Sequence, residues 1–131
     1  MKNLLLLALS ICTFFNGNSQ GNGTCANAQP FCTASGVTYP ASVGTTAQAG
    51  PNYGCLGSQP SPAWFYLNIA TSGNIMINLT NSANNDIDFA IWGPFASQAA
   101  LCAGTSNAPI DCSYSTAANE QVDIPSAVAG Q

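Results

Sequence analysis

The stretch Gly73-Asn74-Ile75-Met76-Ile77-Asn78-Leu79-Thr80 decides the fold class. Ile75, Ile77 and Leu79 recur at every second residue, while Asn74, Asn78 and Thr80 take alternate positions, with Met76 the one apolar exception. A period of two puts one set on a buried face and the other in water, the mark of a strand covered on one side. Turn formers bound it: Thr71-Ser72-Gly73 before, Asn81-Ser82-Ala83-Asn84-Asn85 after. Downstream, 86–92 alternates again and turns Ile87, Phe89 and Ile91 inward. Upstream, Ala63-Trp64-Phe65-Tyr66-Leu67-Asn68-Ile69 is apolar on both faces, as expected of a central strand covered on two sides. Shorter strands are expected at 37–43, 110–114 and 121–124, and Ser97 is placed to cap one or two helical turns over 97–101. No heptad, long amphipathic helix or internal repeat interrupts this pattern. The chain therefore reads as all-β, an antiparallel β-sandwich, of jelly-roll or a related kind, with one short helix.

Charge narrows the function. The 131 residues carry one Lys (Lys2), no Arg and no His, against Asp86, Asp88, Asp111, Glu120 and Asp123, for a net charge of −4. Without cationic side chains a protein cannot neutralise phosphates, so nucleic-acid binding is excluded. Without His there is no Ser-His-Asp or Cys-His pair and no imidazole metal site. Serines are plentiful, but none lies in G-x-S-x-G.

The N-terminus reads as an export signal. Met1-Lys2-Asn3 is a short basic start, 4–15 is mostly apolar, and Gly17-Asn18-Ser19 predicts cleavage before Gln20. The apolar run is too short to cross a bilayer core, which takes about 20 residues. Cys12 would suit a lipid anchor only if a small residue preceded it, and Ile11 stands there. No second stretch long enough to span a membrane follows, so the expected location is secreted or at the cell surface. Residues 20–131 form the expected single module.

Cleavage leaves Cys25, Cys32, Cys55, Cys102 and Cys112, and export makes disulfides their default state. Proximity pairs Cys25 with Cys32 and Cys102 with Cys112, each closing a short loop worth roughly 2–3 kcal/mol in the chain-entropy picture. That pairing leaves Cys55 either as a buried thiol or with a partner beyond Gln131. The second option, and an ending on Ala129-Gly130-Gln131 straight after a strand, both suggest a module that lacks its last strands. Zinc is disfavoured, because C-x-x-C and His are both missing.

Asp86 and Asp88 are the closely spaced carboxylates, on one face of a strand and beside Asn81, Asn84 and Asn85. Such oxygen ligands can hold calcium in an extracellular module, or the acids can simply keep an outer face solvated. Same-face neighbours about 7 Å apart would also allow a glycosidase pair. No Arg, Lys or His is present to tune or orient one, so catalysis is not expected. Trp64, Tyr66, Trp92 and Tyr114 offer an aromatic platform for sugar or peptide, against the plainer reading that they pack inside the sandwich.

Several strings together resemble a module of large surface proteins of Bacteroidetes. They are Asn27-Ala28-Gln29-Pro30-Phe31-Cys32, Gly50-Pro51-Asn52-Tyr53-Gly54-Cys55-Leu56 and Pro62-Ala63-Trp64-Phe65-Tyr66-Leu67. Asp86-Ile87-Asp88-Phe89-Ala90-Ile91-Trp92-Gly93-Pro94-Phe95 and Asp111-Cys112-Ser113-Tyr114-Ser115 continue the match over nearly the whole exported chain. The resemblance implies a place near the N-terminus of a secreted, adhesin-like or gliding-associated protein with a type IX sorting domain further on. More distantly, the D-x-D-F strand and the Trp strand before it resemble the calcium-linked pre-peptidase C-terminal domain, which would put calcium on Asp86 and Asp88. This chain departs from the Bacteroidetes pattern at Ile91 and Val122, where the family often carries cysteines.

Together these readings lead to the expectation of a non-catalytic extracellular module acting in adhesion or display, with calcium at Asp86 and Asp88 as its one cofactor. The alternative is an ancillary glycan- or protein-binding module of a secreted hydrolase, with Trp64, Tyr66 and Trp92 as contact residues.

Overall fold

A computed structural model of the protein describes residues 22–31 and 44–131. The expected export signal, Cys32 and the strand expected at 37–43 lie outside the described residues. Among the described residues, six strands and one short α-helix follow in order. β1 is Gln29–Pro30, β2 Phe65–Tyr66, β3 Gly73–Thr80, β4 Phe89–Ile91, α1 Gln98–Gly104, β5 Asp111–Ser113 and β6 Asn119–Ala127. The all-β class holds, with a single short helix. The ladders are three two-stranded sheets, β1–β2, β3–β6 and β4–β5.

β3 and β6 form the longest pair, antiparallel, and their sequences explain its register. Ile75 faces Ile124 and Ile77 faces Val122, so the apolar residues of both strands share one side of the ladder. On the other side Met76 faces Asp123, and the Gln121 side-chain amide donates to Asn78 Oδ1 at 2.9 Å. The register breaks between Gly73 and Ile75. Pro125 there has no N–H for a regular ladder, Ser126 turns to a φ of 58°, and its N–H goes instead to Asn74 Oδ1 at 2.9 Å. β6 thus runs well past the 121–124 expected.

β4 and β5 are also antiparallel, with Ala90 opposite Cys112. They lie beside β6 through a side-chain bridge, since the Asp123 N–H donates to Asp111 Oδ2 at 2.9 Å. Only 89–91 of the run expected at 86–92 is in a ladder. The Ile87 N–H goes to the Ala117 carbonyl at 3.2 Å, outside any strand. The short β1–β2 pair is parallel, a departure from the purely antiparallel expectation. Of 63–69 only Phe65 and Tyr66 are strand. Trp64 and Ile69 nonetheless accept or donate backbone bonds, from Gln29 N–H at 3.0 Å and to the Gln131 carbonyl at 2.8 Å respectively.

The helix begins where Ser97 predicts. The Ser97 hydroxyl accepts from the Ala100 N–H at 3.2 Å, one of the donors a first turn leaves unpaired. It ends at Thr105, 2% exposed, whose N–H and hydroxyl reach the Leu101 and Cys102 carbonyls at 3.1 and 3.0 Å. Ser97→Ala is expected to lower the urea-unfolding free energy by about 1 kcal/mol, with the m-value unchanged.

Val122 of β6 is buried at 4% exposure, and a separate cluster forms around the N-terminal turn. Cys25, Ala28 and Trp64, at 1%, 7% and 7% exposure, make the core cluster. Tyr53, Tyr66, Trp92, Leu101 and Cys102 pack around it half-buried. Two disulfides are present among the described residues, Cys25–Cys102 within this cluster and Cys55–Cys112 outside it, with Cα separations of 5.6 and 6.1 Å. The proximity pairing is thereby corrected: Cys25 bonds Cys102 rather than Cys32, and Cys112 bonds Cys55 rather than Cys102. The reason is spatial. The turn at Cys25–Asn27 packs against α1, and the loop carrying Cys55 lies on β5, so distant cysteines meet while sequence neighbours do not.

Candidate functional site

The aromatic residues singled out from the sequence converge, but inward. Trp64 and Trp92 stack with centroids 5.3 Å apart and planes 19° from parallel. Tyr53 sets its ring at an angle to both, at 6.2 and 6.1 Å. At 7% exposure Trp64 has no face for a sugar, so its expected contact role is corrected: it is the centre of the core. Tyr66 is half-buried against the same cluster. Tyr114, at 51% exposure, stands apart and lies over Gly57, its hydroxyl 3.2 Å from Ser58 Oγ.

A loop folds over this stack. Its ends meet where the Ser61 N–H donates to the Thr45 carbonyl at 3.1 Å and the Gly44 N–H to Ser61 Oγ at 2.9 Å. Chain that leaves and returns to one point is an Ω-type loop, packed by its own side chains. The Gln48 side chain accepts from the Cys25 N–H at 2.7 Å, and the Gln48 carbonyl accepts from the Tyr53 hydroxyl at 2.9 Å. Burial pushes the Tyr53 phenol above its ordinary pKa. Asn52 is the hinge of the contact: its N–H donates to the Thr105 carbonyl at 2.8 Å. Its carbonyl accepts from Trp92 Nε1 at 3.2 Å, a donor shared with the Asn107 carbonyl at 3.2 Å. Gly54, at a φ of +63°, brings the tip down beside Pro109, where a Cβ would overlap the proline ring. Tyr53 and Asn52 were not singled out from composition or periodicity. Their only sequence mark is the turn-rich run Gly50-Pro51-Asn52-Tyr53-Gly54 next to a cysteine.

Depressions of about 230 and 530 Å³ flank the loop. The first lies between Gln48–Pro51 and the end of α1, the second between Thr45–Ala47 and Ser58–Pro60, and neither lining carries an ionisable side chain. Neither offers the paired acid and base that hydrolysis needs.

The acids gather elsewhere. Asp88 is half-buried, and its Oδ1 is shielded from solvent with no hydrogen-bond donor. Burial, then the neighbouring carboxylates of Asp86 and Glu120, push the Asp88 pKa up. Glu120 behaves oppositely: hydroxyl bonds from Ser115 and then Ser113 hold it below its ordinary value, against a smaller effect of burial. Among the described residues no three His, Cys, Asp or Glu side chains converge closely enough to hold a metal ion. Asp86 and Asp88 are therefore two carboxylates in one place, with Glu120 engaged by serines.

Compared with models of protein families, with curated proteins and with solved structures, the chain matches none. Its own chemistry remains informative. Two disulfides fit an oxidising compartment. Among the described residues no helix is long and apolar enough to cross a membrane.

The raised pKa of Asp88 carries a stability consequence. The fold favours the protonated acid, so this residue's contribution is most favourable below its unfolded pKa, near 3.8, and is lost as pH rises through the higher folded value. Asp88→Asn is expected to raise the thermal midpoint at pH 7 without added cation and to flatten its pH dependence above the ordinary carboxylate pKa. A midpoint at pH 7 that falls would mean that the carboxylate is needed as an anion.

Proposed function

We propose that this protein is a non-catalytic extracellular module of a bacterial surface or secreted protein, acting in adhesion or display. The observation that carries the reading is the pair of disulfides with separations of 77 and 57 residues, which tie 25–112 together in an oxidised form. The export signal read from the sequence supports it, as do the strings resembling Bacteroidetes surface modules and the scarcity of acid–base side chains. Immunolabelling of intact cells and assay of the medium, after expression of the full chain, should find it outside the cytoplasm. Cytoplasmic retention would end the proposal. Display predicts that deleting the gene lowers attachment of cells to protein- or glycan-coated surfaces.

Calcium at Asp86 and Asp88 belongs to the same proposal. What supports it is the Asp88 Oδ1 without a donor and the excess of negative charge at that corner, which a divalent cation would offset. With two carboxylates available, backbone oxygens and water would complete the shell, as in extracellular sites of about 10⁻⁴ to 10⁻³ M affinity. Millimolar calcium is then expected to raise the thermal midpoint of the wild type and leave Asp88→Asn unmoved. Equal response of both proteins, or of neither, removes calcium from the reading.

The alternative, an ancillary binding module of a secreted hydrolase contacting its ligand through Trp64, Tyr66 and Trp92, meets the burial of Trp64 directly. Pull-down on insoluble polysaccharide or collagen, with Tyr66→Ala and Trp92→Ala as comparisons, distinguishes it from the first reading.

A further inference from the structure

We propose that Cys55–Cys112 is a reducible latch: a dithiol opens this bond selectively, leaves Cys25–Cys102 intact, and frees the loop over the Trp64–Trp92 stack.

The two bonds differ in who can reach them and in what leaves. Cys55 is exposed, at the tip of the loop, whereas Cys25 is 1% exposed at the centre of the core. Thiol–disulfide exchange needs a thiolate to approach one sulfur in line with the bond, so access decides first. An external thiolate attacks Cys55 Sγ and forms a mixed disulfide with it, and the Cys55–Cys112 bond breaks with its electron pair going to Cys112 Sγ. The second thiol of the dithiol then attacks its own mixed disulfide, which releases Cys55 as a thiolate and leaves the dithiol oxidised to a disulfide. Two electrons pass to the protein and two protons from solvent complete the thiols.

The leaving sulfur is prepared for this. The Cys55 N–H donates to Cys112 Sγ at 3.2 Å, a contact that stabilises negative charge on that sulfur as it develops. Attack on the other bond at Cys102, which is half-buried, would release a Cys25 thiolate beside Ala28 and Trp64, where an apolar surrounding disfavours the anion.

What the latch holds follows from the loop's construction. Its neck closes on itself through Thr45 and Ser61, independently of the disulfide. It is held down by Cys55–Cys112, by the Asn52 bonds to Thr105 and Trp92, by the Tyr53 ring against both indoles, by Gln48 on the Cys25 N–H, and by the Ser58–Tyr114 contact. Once the covalent tie is gone these are single, partly exposed contacts, and local opening becomes cheaper than global unfolding. Opening lifts Tyr53 and Asn52 off the indoles.

The chain has two tryptophans and both lie in this stack, so their emission reports on it alone. The experiment titrates the oxidised full chain with dithiothreitol under native conditions, blocks free thiols with iodoacetamide and maps them in peptic peptides. Acrylamide quenching is followed in parallel. Cys55 and Cys112 are expected to be alkylated while Cys25 and Cys102 remain bonded, and quenching should rise about twofold over the same range. The Cys55→Ser, Cys112→Ser double variant should show the higher quenching with no reductant. Alkylation of all four together, opening of Cys25–Cys102 first, or selective reduction with unchanged quenching overturns the proposal. If neither bond opens short of global unfolding, it fails equally. None of these outcomes depends on where the protein resides or what it adheres to.

Discussion

Oxidised protein carrying Cys25→Ala and Cys102→Ala is expected to lose about 4–5 kcal/mol of unfolding free energy, since this bond closes a loop of 77 residues in the unfolded chain. Domains of this size have about 5–15 kcal/mol in total, so the variant should sit near its unfolding threshold at 37 °C. The entropic part is nearly the same for Cys55–Cys112, whose separation is 57 residues. Two physical differences separate the pairs. Cys25 is buried at 1% exposure, so its removal also takes packing from the core. Cutting the exposed bond instead lets the folded loop relax, so part of the entropy gained by the unfolded chain is gained by the native state as well. Urea unfolding of both double variants, followed by tryptophan emission, measures the contrast. An equal or smaller loss for the Cys25–Cys102 variant would show that the core does not lean on that bridge.

Trp64→Ala should cost about 3–5 kcal/mol, the range for removing a large aromatic from a core that cannot collapse around the space. The site leaves little room for compensation, because Trp64 stacks on Trp92, meets Tyr53, and lies in the same cluster as Cys25 and Ala28. Trp64→Phe separates volume from polarity. The Trp64 Nε1 is buried with no acceptor, and an unpaired buried donor costs about 1–3 kcal/mol, so phenylalanine recovers part of what it loses in area. The expected order of unfolding midpoints is wild type, then Trp64→Phe close below, then Trp64→Ala far below. Trp92→Phe is the opposite case, since its Nε1 serves the Asn52 and Asn107 carbonyls and the change removes both bonds. If Trp64→Ala left the midpoint within about 1 kcal/mol of wild type, Trp64 would not be a core residue.

Period-two alternation made β3 legible because one side of its ladder is covered and the other is not, a pattern that needs no knowledge of the partner strand. The same holds for Ser97, whose role is local to one turn. The ends of strands were less legible. At 86–92 the alternation continues through Ile87, but the backbone there pairs with Ala117 outside any ladder. At Pro125 a bulge, which alternation cannot show, lets β6 run on to Ala127. The cysteine partners were illegible for a deeper reason: pairing depends on which loops fold together, and Cys25 meets Cys102 only after α1 packs on the N-terminal turn. Likewise the aromatic spacing placed Trp64 and Tyr66 on one strand face but could not say whether a loop would lie over it. Asp86 and Asp88 were legible as neighbours; that Glu120 would join them electrostatically came from β6.

The two bridges are interlaced, since along the chain Cys25 and Cys55 precede both Cys102 and Cys112. Between Cys55 and Cys102 lies the exposed turn 82–86. A protease that nicks the backbone there separates the sequence into two fragments, each holding one half of both disulfides and one strand of the β3–β6 ladder. The cut molecule stays covalently one body and keeps its core residues in contact. Trypsin-like proteases, moreover, find no Lys or Arg after Lys2. Damage to the chain is thereby uncoupled from loss of the fold, so long as the bonds remain oxidised.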